Sequence, residues 1–172
     1  MNRLGHSIGK VVQYELFKNH IQARLTTGEV LTINLDAFSG MPYTRAKQGS
    51  IMSVEHPGIR VGTLNDGTEI IAHNHIKAGG PALATKAQYS QGASIRTNNI
   101  RVTKSKFAVL SSAMRQVSSR RTYDATFYNC QHFVSVACTG NSRSSTVRQV
   151  TNMAGAVTLF FTIAGIAVGA RR

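Results

Sequence analysis

The chain has 172 residues, of which 42% are hydrophobic and 16% charged, a composition that supports one domain with a buried core and excludes a disordered chain. Its 20 Lys and Arg residues outnumber its 7 Asp and Glu residues and give a formal net charge of +13, which favours partners that carry phosphate. Nucleic acid is disfavoured, because the chain has neither an aromatic-interleaved basic repeat nor zinc-finger spacing. A surface that faces anionic lipid and a basic surface that is only solvated remain equal alternatives.

Residues 1–48 are predicted to form an N-terminal extension that contains a β-hairpin. Residues 20–25 and 30–35 are rich in aliphatic and β-branched side chains, and Gly28 lies in the short turn between them. Residues 39–42 (SGMP) predict a loop. The start of the chain lacks the continuous apolar stretch of a signal peptide.

Residues 49–140 are predicted to form the main domain. Its strands are predicted at 49–54, 59–64 and 69–76, and the Asn-Asp-Gly sequence at 65–67 suits the turn between the last two. Residues 79–81 (GGP) predict a break, followed by an irregular stretch at 82–105 with a further strand within 94–102. A modest helix is predicted at 106–117, and a second helix starts at Cys130 and ends at Gly140.

The C-terminal part is predicted to be a polar linker at 141–152 and a hydrophobic helix at 153–170. The helix segment has no charged residue and is followed by Arg171 and Arg172. As a helix its 18 residues would extend about 27 Å, close to the thickness of a membrane core of about 30 Å. A membrane anchor is therefore favoured, and the alternative is a buried core helix.

The chain has two cysteines, Cys130 and Cys138. In one helix they would stand about 12 Å apart, too far for a disulfide, which indicates a reducing compartment or one reactive and one packed thiol. Cys138 lies among apolar residues and is predicted to fill the core. Cys130 is predicted in the first helical turn, where the helix dipole and the unpaired N–H groups favour a thiolate over a thiol.

Histidines in two adjacent predicted strands supply the other parts of a nucleophilic site. A cysteine nucleophile needs a base within hydrogen-bond reach and a third group that orients the base. His56 lies at the head of the strand at 59–64, and His73 lies in the next strand. Strand alternation puts His73 and His75 on one face, so spacing alone does not choose between them.

Three separated motifs resemble those of the lecithin:retinol acyltransferase family. Residues 129–134 (NCQHFV), followed by Cys138 and Gly140, are similar to the NCEHFV motif of that family. Residues 56–62 (HPGIRVG) and 70–73 (IIAH) resemble its histidine-bearing strand pair, with the same order of His, His and Cys. Gln131 stands where the family has Glu, and the residue after His56 is proline where the family has an aromatic residue.

The resemblance, over about residues 49–140, implies an α+β fold: a circularly permuted papain-like domain whose antiparallel sheet packs against the helix that bears the cysteine. It implies a thiol-dependent acyltransferase or phospholipase A-type hydrolase that takes an acyl chain from a membrane phospholipid and passes it to an acceptor that the sequence does not identify. Cys130 would be the nucleophile, His56 its general base and His73 the group that orients His56. Neither a cofactor nor a metal is expected.

The location implied is an anionic membrane surface, with the C-terminal helix as a single anchor and the catalytic domain in the cytoplasm. Three alternatives stay open. A papain-like site also suits a cysteine peptidase or amidase, and the motifs are compatible with a non-catalytic, membrane-associated regulatory protein. Nucleic-acid binding through the +13 charge is the remaining alternative.

Overall fold

The computed structural model describes residues 5–46 and 55–142. Within these ranges the chain forms eight strands, three α-helices and a short 3-10 helix at Ile76–Ala78. The strands are β1 (Val11–Leu16), β2 (His20–Leu25), β3 (Val30–Asn34), β4 (Pro42–Ala46), β5 (Glu55–Thr63), β6 (Glu69–His75), β7 (Gly80–Thr85) and β8 (Ile95–Thr97). The helices are α1 (Lys86–Ser90), α2 (Lys106–Val117) and α3 (Cys130–Thr139).

The strands form one sheet in which all the described pairs are antiparallel. The nine-residue strand β5 is its centre: one edge pairs with β4 and, at Thr63, with β3, while the other edge pairs with β6. Strand β7 adds to β6, and β8 adds to β4. The protein is therefore of the α+β class with a mostly antiparallel sheet and few helices, as the sequence predicts.

The predicted hairpin is confirmed as β2 and β3, with Gly28 at φ 90° in its turn. The turn between β5 and β6 is also confirmed, and Gly67 takes φ 82° there, a conformation that glycine adopts without strain. The helix predicted at 106–117 has these bounds in the structure, with Ser105 as its N-cap. The helix that begins at Cys130 ends at Gly140, whose φ of 86° forms the C-cap.

The break predicted at residues 79–81 is wrong beyond Gly79, which ends the 3-10 helix. Gly80 and Pro81 begin the strand β7, and its residues 80–84 are buried, so this part of the segment 82–105 is regular. The predicted loop at 39–42 is confirmed for residues 39–41, and Pro42 is already the first residue of β4. Both prolines are compatible with a strand. Pro42 is the first residue of its strand, and Pro81 lies in β7, which pairs with β6 alone among the described strands. The predicted strand at 49–54 lies outside the described residues.

One apolar core holds the sheet and the two longer helices together. Residues of the N-terminal strands (Val11, Ile21, Ile33) and residues of α2 and α3 (Met114, Phe133) belong to the same buried cluster. Helix α3 packs against β5 and β6. The strands that carry His56 and His73 thus lie directly beneath the helix that carries Cys130.

The predicted boundary at residue 48 and the predicted hydrophobic helix at 153–170 lie outside the described residues, as does most of the predicted linker. Among the helices that the structure does describe, none combines the length and the apolar character that a membrane span requires.

Candidate functional site

His56 and His73 meet in the buried centre of the sheet. Their strands are neighbours, and Gly58 of β5 lies opposite His73. His56 is 5% exposed and His73 is 1% exposed. His56 Nε2 lies 2.9 Å from His73 Nδ1, which is a hydrogen bond between the two rings.

The partners of His73 fix the direction of this hydrogen bond. His73 Nε2 lies 2.9 Å from the carbonyl oxygen of His6, and a carbonyl oxygen only accepts. His73 Nε2 therefore carries the proton, and Nδ1 of a neutral His73 is the acceptor. His56 must then donate from Nε2, so that the basic lone pair of a neutral His56 is on Nδ1.

Burial keeps His73 in the neutral form that this arrangement needs. The pKa of His73 is lowered to about 3, mainly by burial and to a smaller extent by the positive charges that His75 and Arg45 can carry, while the hydrogen bond to the His6 carbonyl opposes the shift. A histidine with this pKa stays neutral near pH 7, so its Nδ1 remains able to accept the hydrogen bond that holds the His56 ring in place.

Four histidine rings lie close together at this site. The His56 ring is 5.2 Å from that of His73 and 5.1 Å from that of His75, and the His6 ring stacks on His75 at 4.5 Å. His73 and not His75 accepts the Nε2 proton of His56, which answers the question that strand alternation leaves open. His75 Nδ1 accepts instead from the backbone N–H of Lys77.

The segment around His6 is held by hydrogen bonds at residues 5, 7 and 8. Gln88 Nε2 donates to the Ser7 carbonyl, Gln91 Nε2 donates to the Gly5 carbonyl, and the Ile8 N–H donates to Leu83. Sequence reasoning missed this part of the site. A backbone carbonyl has no residue type, so no pattern in the sequence could have identified it.

Removal of residues 1–7 is expected to slow the alkylation of Cys130 by iodoacetamide about tenfold, the equivalent of one hydrogen bond of about 1.4 kcal/mol, because His73 loses the acceptor that sets its tautomer. His6→Ala is the matched control: it keeps the carbonyl and removes the ring, so its rate should stay near that of the wild type. Equal rates for the deletion and the wild type would contradict the assigned role of the carbonyl. Rates are measured by mass spectrometry near neutral pH.

Cys130 is the first residue of α3 and is partly exposed. Asn129 is the N-cap, and its Oδ1 accepts from the N–H groups of Gln131 and His132 at 3.0 and 3.2 Å. His132 Nδ1 accepts from the Asn129 N–H in return, which completes a capping box. The sequence prediction of a thiol in the first helical turn is confirmed, and His132 has a structural contact of its own.

This capping box reduces the number of backbone N–H groups that could bind a negatively charged oxygen near Cys130. Two N–H groups of the first turn, those of Gln131 and His132, are already bonded to Asn129. A nearby positive group would supply the stabilisation that these two bonded N–H groups do not.

Arg45 is such a group, and sequence reasoning missed it. It is a buried arginine on β4, directly opposite His56 in the strand register. Its guanidinium lies 5.8 Å from the centre of the Tyr89 ring. Burial lowers the pKa of Arg45, and negative charge on Tyr89 or Cys130 opposes this, so the guanidinium lies within electrostatic range of the thiol.

Tyr89 of α1 holds the strand on which His56 lies. Its hydroxyl donates to the His56 carbonyl at 2.5 Å, and its ring is 5.5 Å from the His56 ring. Burial raises the pKa of Tyr89, and negative charge on Cys130 adds to that effect. Burial raises the pKa of Tyr123 as well, again with a contribution from Cys130. These tyrosines are neutral near pH 7 and act as hydrogen-bonding or packing groups.

A groove of about 490 Å³ is lined by the sequence neighbours of His56 and Cys130, and not by those two residues themselves. Its walls include Pro57, the neighbour of His56 in β5, and Gln131, the neighbour of Cys130 in α3. Apolar side chains (Ile100, Val134) and charged ones (Glu55, Arg101) share the lining. Its volume is in the range of ligand-binding clefts, about 300–1,000 Å³.

Cys138 has no part in this site. It is fully buried in the core, and burial raises its pKa to about 11, as expected of a packed thiol. In the described part of the chain, no group of three or more His, Cys, Asp or Glu side chains is arranged to hold a metal ion. Comparison of the chain with protein-family models, curated proteins and solved structures finds no match.

Proposed function

We propose that the protein is a cysteine-dependent acyl-transfer enzyme of the lecithin:retinol acyltransferase type, with Cys130 as nucleophile and His56 as general base. The observation that carries the proposal is the hydrogen-bond chain from His56 through His73 to the His6 carbonyl, beneath a helix whose first residue is a cysteine. The motif resemblance supports the same roles. On this proposal the antiparallel sheet and α3 correspond to a circularly permuted papain-like domain.

The first chemical step follows from the tautomers. His56 Nδ1 takes the proton of the Cys130 thiol, while Nε2–H stays bonded to His73. The thiolate sulfur attacks the carbonyl carbon of an ester, and the carbonyl oxygen takes up the negative charge. When the C–O bond breaks, the leaving alcohol receives the proton from His56, and a thioester on Cys130 remains. Water or another acceptor then takes the acyl group.

Arg45 would stabilise the charges that form in this step. Its buried guanidinium is positive and faces the His56 side of the site. Both the thiolate and the tetrahedral oxyanion are negative, and a fixed positive charge in a region of low dielectric favours them strongly. Arg45 would take the place of the two backbone donors that the Asn129 cap occupies.

The proposed acyl donor is a membrane glycerophospholipid. The groove next to Pro57 and Gln131 combines apolar walls with Arg101, which suits an acylated molecule with a phosphate group. The net charge of +13 attracts the protein to anionic lipid. The predicted helix at 153–170 would keep the domain at such a surface, and the acyl acceptor would be water, an alcohol or an amine.

The proposal is tested by incubating the full-length protein with phospholipid vesicles and measuring its intact mass. We expect an increase equal to one acyl chain on the wild type, removed by neutral hydroxylamine because that reagent cleaves thioesters. Cys130→Ala should carry no adduct. Cys138→Ala is the matched control and should still be acylated, because its thiol is buried with a raised pKa.

An adduct of equal yield on Cys130→Ala would overturn the assignment of the nucleophile. A parallel incubation with acyl-amide and peptide substrates separates lipid ester chemistry from the amidase alternative. Thioester formation from peptides alone would keep the site and replace the substrate. Slow alkylation of Cys130, at the rate of an ordinary thiol, would favour the non-catalytic alternative.

A further inference from the structure

Two large apolar side chains stand in solvent close to the start of α3. Phe127 is 79% exposed and Ile76 is 64% exposed, and these are the two highest values among the large hydrophobic residues described as exposed. Phe127 lies three residues before Cys130, and Ile76 directly follows His75. Neither side chain contributes to the apolar core.

The loops that carry these two residues are joined to each other. Asn74 Nδ2 donates to the Tyr128 carbonyl at 2.7 Å, which links the end of β6 to the loop before α3. The two segments also approach closely at Gly80. The Arg121 carbonyl oxygen is so near this glycine that a side chain there would clash, since an added Cβ would lie only 2.5 Å from it. The two apolar residues therefore project from one continuous edge of the molecule.

Hydrogen bonds within its loop hold Phe127 in its exposed position. The Asp124 carboxylate accepts from the N–H groups of Thr126 and Phe127, both at 2.8 Å, and the backbones of Asp124 and Tyr128 bond to each other. The Tyr128 side chain turns inward and donates to Gln116. The loop thus holds one aromatic ring inside the protein and presents the next one to solvent.

The charge of this edge is positive. Lys77, Arg120 and Arg121 are exposed beside the two apolar residues. Between residues 70 and 142 the sequence contains nine Lys and Arg residues and a single acidic one, Asp124. The Asp124 carboxylate accepts hydrogen bonds from the backbone of its own loop, and those from Phe127 and Thr126 lower its pKa.

We propose that this edge, formed by Ile76, Lys77, Arg120, Arg121 and Phe127, docks on an anionic lipid bilayer. Phe127 and Ile76 would enter the boundary between headgroups and acyl chains, where aromatic and aliphatic side chains are stabilised. The three cations would lie among the phosphates. Bilayer rather than nucleic acid is favoured because Ile76 offers no surface for base stacking, whereas both side chains suit an apolar phase.

This surface goes beyond the proposed chemistry and does not depend on it. It would, however, bring the start of α3 to the lipid, because Phe127 and Cys130 lie on either side of the Asn129 cap. The basic residues alone would attract the protein to the bilayer weakly, and salt would screen this attraction. Burial of the two apolar side chains adds binding free energy that salt does not screen.

The sequence offers a direct probe of this surface because it contains no tryptophan. Phe127→Trp in the full-length protein is then a single fluorescent reporter at the proposed docking point. The probes are vesicles of phosphatidylglycerol and phosphatidylcholine, made with and without bromine on the acyl chains. We expect a blue shift of the emission on anionic vesicles and a loss of most of the fluorescence when the lipids are brominated.

Phe38→Trp is the matched control. Phe38 is 58% exposed and lies against Arg60, four residues along β5 from His56. On the same vesicles its emission should neither shift nor be quenched. This comparison separates docking through the proposed edge from attachment through any other segment of the chain, which would leave both reporters unquenched.

Three results would overturn the proposal: no quenching of Phe127→Trp, equal quenching of both reporters, or quenching by single-stranded RNA in place of vesicles. Adding Cys130→Ala to Phe127→Trp should leave the quenching unchanged. Loss of acyl transfer with intact docking would therefore count against the proposed function alone.

Discussion

Replacement of His56 with alanine is expected to slow the alkylation of Cys130 by iodoacetamide at pH 6 by about 100-fold. On the proposed mechanism His56 accepts the thiol proton, and without this base Cys130 should behave as an ordinary cysteine, which with a pKa of about 8.5 is less than about 1% thiolate at this pH. Acyl-enzyme formation should fall by about 10²- to 10⁴-fold, the usual contribution of a general base. Both rates are measured by mass spectrometry.

His75→Ala is the control that makes this result informative. His75 is on the same strand as His73, and its ring is as close to that of His56 as the His73 ring is, but the Nε2 hydrogen bond of His56 goes to His73. We expect His75→Ala to change the alkylation rate by no more than about threefold, a change equivalent to well under 1 kcal/mol. Equal losses for His56→Ala and His75→Ala would mean that the cluster acts through packing or charge rather than through one base.

Local patterns were enough to predict the elements with strong boundary signals. Residues 106–117 have helical periodicity, and Ser105 precedes them. Gly140 ends α3 and Gly67 forms the turn after β5, because both take positive φ values. In each case the residue types at the ends of the element carry the information, and distant contacts are not needed.

Sheet pairing could not be predicted in the same way. Gly80 and Pro81 are typical of a break, yet they begin β7 because β6 offers a partner edge and the residues that follow are buried. Pro57 likewise lies inside β5, so His56 is the second residue of a longer strand and not the head of a later one. Proline is compatible with a strand only at particular places in the ladder, and the sequence does not show where those places are.

The residues of the candidate site likewise fall into those that local patterns predict and those that depend on tertiary contacts. Cys130, His56 and His73 belong to short motifs, and the predicted neighbourhood of the two histidines followed from one hairpin. Arg45 comes from β4, a strand that no pattern indicated, and the His6 carbonyl reaches His73 across 67 positions of sequence. Contacts of that range depend on tertiary packing, which single-sequence reasoning does not describe.

The buried position of His73 has a consequence for stability at low pH. In the unfolded chain a histidine takes up a proton near its ordinary pKa of 6.5, whereas burial lowers the pKa of His73 in the folded protein to about 3. Between these two values the unfolded chain binds more protons than the folded one. The free energy of unfolding must therefore fall as the pH is lowered from about 6.5 towards 3.

The expected loss from His73 is at most roughly 5 kcal/mol, since one pKa unit corresponds to about 1.4 kcal/mol. His73→Asn should remove this part of the pH dependence, because asparagine does not titrate and its amide can still donate to the His6 carbonyl. Urea unfolding at several pH values between 7 and 4 measures the slopes. A smaller slope should remain in the variant, because the pKa values of His6 and His132 are also lowered, in both cases mainly by burial.

His20→Asn is the matched control for this measurement. His20 lies in the N-terminal hairpin, where it bonds to Asn19, and it is not part of the histidine cluster. Its replacement should leave the wild-type slope unchanged. If His73→Asn had the same slope as the wild type, His73 would take up its proton equally well in the folded and the unfolded chain, and below about pH 6.5 its Nδ1 could not accept from His56. The hydrogen-bond chain on which the proposed base depends would then be lost.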